Sequence, residues 1–242
     1  MLDCSTAVRS EFNNYILNAL PAEVLDALRP YLLPVSMVPN QVMHEVATPI
    51  DDVYFVEEGL VSLTANTHDN GAVEVGITGR EGLVGVSVLL NRNAIAYHRA
   101  FVQVPGSALR VRSGVMRDMA NRHPALRDIC LRYQQVMMVQ ASQAAACNAR
   151  HELPERLARW LLMTHDRVDG DELPMTQEFM ALMLGVRRAG VSVVASALQA
   201  QGLIRQARGR IGVVDRAGLE AEACACYRLI EACREQVMGN AG

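Results

Sequence analysis

Between Arg187 and Arg210 the sequence carries five arginines and no acidic residue. The whole chain of 242 residues is slightly acidic, with a net charge of −3. A confined basic stretch on an acidic chain is an electrostatic footprint for polyanions, phosphates above all. All 23 basic residues are arginine. The absence of lysine excludes a Schiff-base lysine and a phosphate-loop lysine. It also makes every permanent cation a planar fork of donors, suited to phosphate oxygens and to the O6 and N7 edge of guanine. No Gly-x-Ser-x-Gly elbow occurs, and His151-Glu152 runs into Leu153-Pro154-Glu155, which is no zinc-protease helix.

The arginines sit in a segment, from Leu173 to Val214, that must position them. Thr176 is placed to cap a helix whose apolar face is Phe179, Met180, Met183 and Leu184. Gly185 ends that helix, because glycine enters the left-handed conformation at little cost. A second helix follows, with Val191, Val194, Ala195 and Leu198 inward, and Gly202 closes it. Ile204 to Val214 reads as two strands joined by Arg208-Gly209-Arg210. Two short helices joined at a glycine turn form the unit that lays its second helix in the DNA major groove. An ordinary helical hairpin with a solvated basic face is the plainer alternative.

Half of the residues are apolar, enough for a substantial core and more than one domain. The first twenty residues have no apolar core of a signal peptide, and no stretch approaches a membrane span, so no membrane association and a cytoplasmic location are expected. Residues 1 to about 33 read as short helices, with Pro21 in a first turn and Leu25, Leu28, Tyr31 and Leu32 as apolar face. From Pro34 to about Val111 the period changes to two. Turns are expected at Glu58-Gly59, at His68-Asp69-Asn70-Gly71 and at Pro105-Gly106. Several short strands at close spacing suggest an antiparallel roll or barrel.

Ser113 is a plausible cap where the helical period returns. A long helix from about Ala125 to Ala149 carries the stripe Ile129, Tyr133, Val136, Gln140, Gln143 and Cys147, widened by Met137, Met138 and Val139. Such a stripe on a weakly charged helix suits pairing with a second copy, and those six residues are the expected dimer interface. Burial against the chain's own roll is the alternative. In the next helix Leu157, Trp160, Leu161 and Leu162 pack, while Arg156, Arg159 and Arg167 are expected outside. A terminal helix is expected from Ala217 to Gln236. The fold class is therefore α+β: an antiparallel β-roll with N-terminal helices over 1–115, a connecting and dimerisation helix over 116–150, and a winged helix-turn-helix domain over 151–242.

The six cysteines are no disulfide framework. Cys224-Ala225-Cys226 with Cys233 could bind a metal or respond to oxidants, but small residues packing on a terminal helix is the favoured reading, and no metal or cofactor is assigned.

This order of elements resembles the Crp/Fnr family of bacterial transcription regulators. The match is strongest over RLARWLLMTHDRVDGDELPMTQEFMALMLGVRRAGVSVVASALQAQGLI and is carried in the roll by YFVEEGLVSL and GREGLVGVSVLL. The resemblance implies a homodimer reading two half-sites of a near-palindromic operator in double-stranded DNA, with RNA polymerase as a candidate partner. It implies a recognition helix beginning near Arg187, with Arg187, Arg188, Ser192 and Ser196 toward the groove. Arg188 falls where the family commonly places a base-contacting arginine. Ala189 replaces a frequent glutamate and Val193 a further arginine, which implies a different operator. Thr176 and Gln177, with Arg208 and Arg210 of the wing, would meet phosphate.

The resemblance also tests the roll. Cyclic-nucleotide-binding members place a ribose-gripping glutamate after a glycine, and the pair here is Gly85-Val86. Their phosphate-binding Arg-Ser pair falls near Ala96-Tyr97, an odd number of residues from Arg99, and an odd shift turns a strand residue to the other face. Cyclic AMP binding of the usual kind is not expected. Arg80, Gly82, Gly85, Val86, Tyr97 and Arg99 are the effector candidates, with a divergent anion or cyclic nucleotide as the alternative ligand. The family's iron–sulfur members carry an N-terminal cysteine cluster, for which this chain offers only Cys4. His44 and His98 could ligate haem but read as ordinary strand residues. A cupin-like metal roll on His44, Glu45 and His98 is the rival from another class, and a roll serving only as a scaffold is a third reading.

Overall fold

The computed structural model describes residues 11–66 and 71–239. Cys4 and the turn at His68-Asp69-Asn70 therefore lie outside the described residues. Two short helices, α1 (Tyr15–Asn18) and α2 (Ala22–Leu28), come first among the described residues. Pro21 is the N-cap of α2, where its missing N–H costs nothing. Val24 and Leu28 are its buried residues, whereas Tyr31, expected on the apolar face, is 44% exposed.

Among the described residues six antiparallel strands form the roll: β1 (Leu33–Met37), β2 (Val42–His44), β3 (Asp52–Asn66), β4 (Ala72–Thr78), β5 (Leu83–Val84) and β6 (Arg99–Arg112). Their order is β1-β6-β3-β4, with β2 added beside β6 and β5 beside β3. Two expected turns prove to be bends inside continuous strands. Glu58-Gly59 lies within β3 and Pro105-Gly106 within β6, and the register of the pair slips there. A Cβ at Gly59 would stand 2.5 Å from the Val104 carbonyl oxygen, and one at Gly106 2.1 Å from that of Glu58. Glycine on both strands thus lets them close on each other and bend together, which rolls the sheet instead of reversing it.

The chain leaves the roll through α3 (Ser113–Arg122), where Ser113 is the first helical residue and Arg112 the uncapped N-cap. The long helix α4 (Pro124–Arg150) follows, about 40 Å from end to end. Its buried face is Leu126, Ile129, Cys130, Tyr133, Val136, Gln140, Ala144 and Cys147. Five of the six residues expected at a dimer interface, Ile129, Tyr133, Val136, Gln140 and Cys147, are therefore covered by their own chain. The sixth, Gln143, is half-buried and donates from Nε2 to Cys226 Sγ at 3.1 Å. Tyr133 Oη and Thr78 Oγ1 lie 2.8 Å apart, and Gln140 bonds the Ile77 backbone. The apolar stripe belongs to the subunit core.

A helical unit completes the chain: α5 (Leu153–His165), β7 (Glu172–Leu173), α6 (Gln177–Leu184), α7 (Arg188–Ala200), β8 (Ile204–Ala207), β9 (Arg210–Val213), α8 (Arg216–Glu222) and α9 (Cys226–Met238). Glu152 and Glu155 form a reciprocal capping box at the start of α5. The expected single terminal helix is two helices, broken at Ala223–Ala225. Two arginines expected outside are buried, Arg159 and Arg167, each 5% exposed. Arg167 Nε donates to Glu81 Oε1 of the roll at 2.7 Å, and its Nη1 lies 3.8 Å from Glu231 of α9. Just beyond the end of α5, the Arg167 charge can be buried because carboxylates from the β4–β5 turn and from α9 meet it there.

The roll and this unit share one core. Leu60, Ile77, Phe101 and Val104 of the roll cluster with Trp160, Met180, Met183 and Leu184. Trp160 Nε1 donates to Glu74 Oε1 at 2.6 Å, and Ser62 Oγ donates to the other Glu74 oxygen at 2.5 Å. Burial pushes the Glu74 carboxyl up to about 7, against these hydrogen bonds and the nearby Arg159 and Arg167. The folded chain then holds a proton that the unfolded chain releases, and stability falls as pH rises through the window from the ordinary carboxylate value to about 7. Buried His44 is lowered by desolvation and acts in the opposite direction below its ordinary value, so the difference between proteins is informative. Glu74→Gln is expected to lose that downward slope and to gain about 1–3 kcal/mol on wild type at pH 8 relative to pH 5. Urea unfolding across that range checks it; parallel curves for the two proteins would contradict it.

Candidate nucleic-acid interface

The second helix of the pair is aimed by its neighbour and by the turn between them. Thr176 is the N-cap of α6, its hydroxyl oxygen accepting the Phe179 N–H at 3.1 Å. Gly185 ends α6 in the left-handed conformation at φ 64°, and its N–H bonds the Leu182 carbonyl. The chain turns through 112° between α6 and α7. That angle is the geometry of a helix-turn-helix. Val191, Ala195 and Leu198 are buried and hold α7 on the core, with Val194 half-buried beside them. Arg187 is the N-cap of α7 and Arg188 its first residue.

The face of α7 turned outward bears Arg188, Ala189, Val193, Ser196 and Ala197, with Ser192 half-buried among them. Val193 is 71% exposed. An uncovered valine beside arginine and serines is a surface that offers donors, hydroxyls and a methyl group, the three contacts that distinguish base edges.

The wing has three strands where two were expected. β7 pairs β9, and β9 pairs β8, in the order β7-β9-β8. Glu172 in the added strand forms an ion pair with Arg205 of β8. The hairpin turn is Arg208-Gly209, with Gly209 at φ 74°. Arg208 and Arg210 are exposed at its tip. One open groove of about 610 Å³ gathers Thr176, Gln177, Arg188, Arg208 and Arg210. Three arginines and the start of α6 thus face a common space, although the sequence separates them by more than thirty residues. Arg187, Ser192 and Ser196 lie outside this groove, Arg187 and Ser196 exposed.

Two further residues belong to the surface and were not singled out from the sequence. Glu178 stands 3.7 Å from Arg188 Nε, both exposed. Gln206 accepts from Gln177 Nε2 at 2.7 Å, and its own N–H donates to Gln199 Oε1 at 2.7 Å. The glutamine chain ties the wing to both helices. A position beside the Arg-Gly-Arg turn was the available signal for Gln206; Glu178 had none beyond its place in the first turn of α6.

The effector candidates separate into two groups. Gly85, at φ 96°, Val86 and Tyr97 line a cleft of about 320 Å³ between the roll and α4, with Ile95, Met137 and Met138. Arg80 and Arg99 do not line it. Arg80 pairs with Asp169 at 2.8 Å and Arg99 with Glu45 at 3.3 Å, with the Arg99 guanidinium over the Phe101 ring. Gly82 serves packing: a Cβ there would fall 2.0 Å from the Tyr133 ring. His44 is turned to the Asp52 carbonyl oxygen at 2.8 Å, and His44, Glu45 and His98 form no metal-ligating group among the described residues.

Residues 155–222 match the model of the Crp-like helix-turn-helix domain. No curated protein matches the chain by sequence. Solved structures match it in fold. FixK2 from Bradyrhizobium japonicum is 18% identical with a TM-score of 0.68, over 80% of this chain and 98% of that one. The c-di-GMP responsive global regulator CLP from Xanthomonas campestris is 16% identical with a TM-score of 0.64, over 80% of this chain and 99% of that one. TTHB099, a CRP-family transcriptional regulator from Thermus thermophilus, is 23% identical with a TM-score of 0.64, over 78% and 96%. The chain has the fold of the Crp/Fnr transcription regulators and carries a Crp-like helix-turn-helix domain. Among the described residues no single helix is long and apolar enough to cross a membrane.

Proposed function

We propose that the protein is a homodimeric, sequence-specific DNA-binding regulator of transcription. The observation that carries this reading is the groove in which Arg188, Arg208 and Arg210 converge at the start of the helix-turn-helix. Arg188 sits on the recognition helix and is free to exchange its surface pair with Glu178 for a guanine edge. Arg208 and Arg210 stand on the wing, where the neighbouring phosphates of a docked duplex would run. Arg187, Ser192, Ser196 and Val193 extend the contact along α7, and Thr176 and Gln177 brace the backbone beside it.

The dimer seam in this reading lies on the face of α4 opposite the buried stripe. Gln135, Met138, Ala141, Ser142, Ala145 and Ala149 are exposed there, and Met138 is 61% exposed. From Tyr133 to Ala149 the helix has no charged residue. Small side chains at helical spacing allow two such helices to approach closely and in parallel, with a two-fold axis between them. Two recognition helices would then meet successive major grooves.

The roll's contribution rests on the cleft beside α4. Its lining is largely apolar and includes no arginine. Met138 and Ala141 belong both to that lining and to the proposed seam, so an occupant would bias the pairing of the long helices directly. Cyclic AMP has no guanidinium to meet its phosphate in this cleft.

Arg188→Ala is expected to relax base preference and cost ~1–3 kcal/mol on the preferred site. Arg210→Ala is expected to weaken all sequences alike and to lower the salt slope by about one. Binding titrations on selected and random duplexes at several salt concentrations compare them; indistinguishable behaviour of the two variants would contradict the assigned roles. Met138→Asp is expected to give monomers in sedimentation and at least ~10-fold weaker operator binding, since like charges would face each other across the seam; a dimer of unchanged affinity would place the seam elsewhere. Cyclic AMP at millimolar concentration is expected to leave Tm unchanged, and a clear upward shift would show a nucleotide site.

A further inference from the structure

Three buried cysteines and a histidine meet where the long helix enters the DNA-binding unit. Cys147 stands on the last turn of α4, and His151 is the extended C-cap that follows Arg150. Cys224 lies in the break between α8 and α9, and Cys226 is the first residue of α9. In a continuous helix, residues two apart point in different directions. The break removes that conflict: Ala225 is exposed while Cys224 and Cys226 are 4% and 2% exposed and face the same point. Cys147 is fully buried, and the three thiols form a cluster of their own.

The four donor atoms all lie within 4.8 Å of one another. Cys147 Sγ and Cys224 Sγ are 3.4 Å apart, and Cys226 Sγ and His151 Nδ1 are 3.4 Å apart. Four ligands at zinc's ordinary bond lengths of about 2.3 Å to sulfur and about 2.0 Å to nitrogen form a tetrahedron with edges of about 3.5–3.8 Å. The cluster needs only small adjustments to reach it. Gln143 Nε2 donates to Cys226 Sγ from outside the four, the kind of contact that orients a ligating sulfur. Of the cysteines grouped in the sequence, Cys233 lies further along α9 and outside the four, whereas Cys147 and His151 come from the end of α4 and its C-cap.

Charge supports the same arrangement. Arg159 is 5% exposed, forms no ion pair within 4.0 Å among the described residues, and rests its Nη1 on Met163 Sδ at 3.2 Å. Its Nε has no hydrogen-bond partner. Three thiolates with one divalent cation leave one negative charge, which this buried guanidinium can offset. The Arg159 guanidinium stands within electrostatic reach of the Cys147 sulfur.

We propose that Cys147, His151, Cys224 and Cys226 bind one zinc ion as a tetrahedral structural site. The ion staples the end of α4 to the hinge of the terminal helices. Leu219 of α8 and Tyr227 and Ile230 of α9 belong to the core that carries the recognition helix. The site therefore fixes the angle between the pairing helix and the DNA-contacting surface, and removal of the metal loosens that angle. Thiol protons leave to solvent as the sulfurs bind, so affinity weakens toward acid.

The test uses the full chain purified under a non-chelating reductant, with metal content read by mass spectrometry. About one zinc per chain is expected. Chelator-stripped protein titrated with cobalt should develop thiolate charge-transfer absorption and the visible bands of a tetrahedral site at one equivalent. Cys226→Ser and His151→Ala should each lower zinc retention at least ~10-fold, while Cys233→Ser keeps it. Background zinc together with no cobalt spectrum in the wild-type chain overturns the proposal, whatever the fate of the variants. So does full retention in Cys226→Ser, or a cobalt-silent chain whose Cys147 and Cys224 are recovered as a disulfide.

Discussion

The long helix is held by its own roll, and the remaining geometry depends on that grip. β4 is the edge of the main sheet path, and an edge strand exposes unpaired backbone groups. Gln140 of α4 answers them in both directions. Its Oε1 accepts the Ile77 N–H at 2.6 Å, and its Nε2 donates to the Ile77 carbonyl at 3.3 Å. About two turns away the Tyr133 hydroxyl meets Thr78, against the ring that Gly82 is small enough to admit. With these contacts made, α4 has one rotational setting. Its apolar stripe is spent on the subunit, and the uncharged face with Met138 and Ala141 is left outward.

The DNA-binding unit is seated against the same roll. Trp160 reaches Glu74, Arg167 reaches Glu81, and Phe179 sits edge-on to Phe101 at 6.3 Å between ring centroids. Buried ion pairs of this kind add little net stability and much directional preference, because a misaligned seat would strand a charge. Gly185, which ends the first helix of the pair, also stands close to Val73 of β4. The strand gripped by Gln140 therefore touches the turn that aims the recognition helix. A change in the cleft beside α4 has a short physical route to that turn, through one strand and its neighbours.

Local chemistry in the sequence exposed the helix-turn-helix almost completely. Thr176, Gly185 and the 3.6-residue period of Met180, Met183 and Leu184 act within a few residues of one another, and such signals survive folding. Features decided at long range were not legible. Glu58-Gly59 and Pro105-Gly106 look like turns because nothing local shows that the two glycines will face each other in paired strands. The stripe on α4 reads equally well as a seam between copies, since periodicity reports that a face is buried and not by what. Arg159 and Arg167 look like surface residues until Glu81, far away in sequence, is brought beside Arg167. In the wing, the third strand was missed because two residues carry no period. The cysteines show the same limit, as half of their cluster sits on a helix remote from the Cys-Ala-Cys pair.

The central claim is geometric: two copies joined along the outer faces of α4 present their arginine-bearing helices to one side of a duplex. Hydroxyl-radical footprinting on a selected operator, with the complex's stoichiometry fixed by sedimentation, reads that geometry directly. Two protected patches about 10 base pairs apart on the same face of the DNA, from two chains per duplex, are expected. A single patch from one bound chain, or protection spread evenly along any sequence, would contradict it.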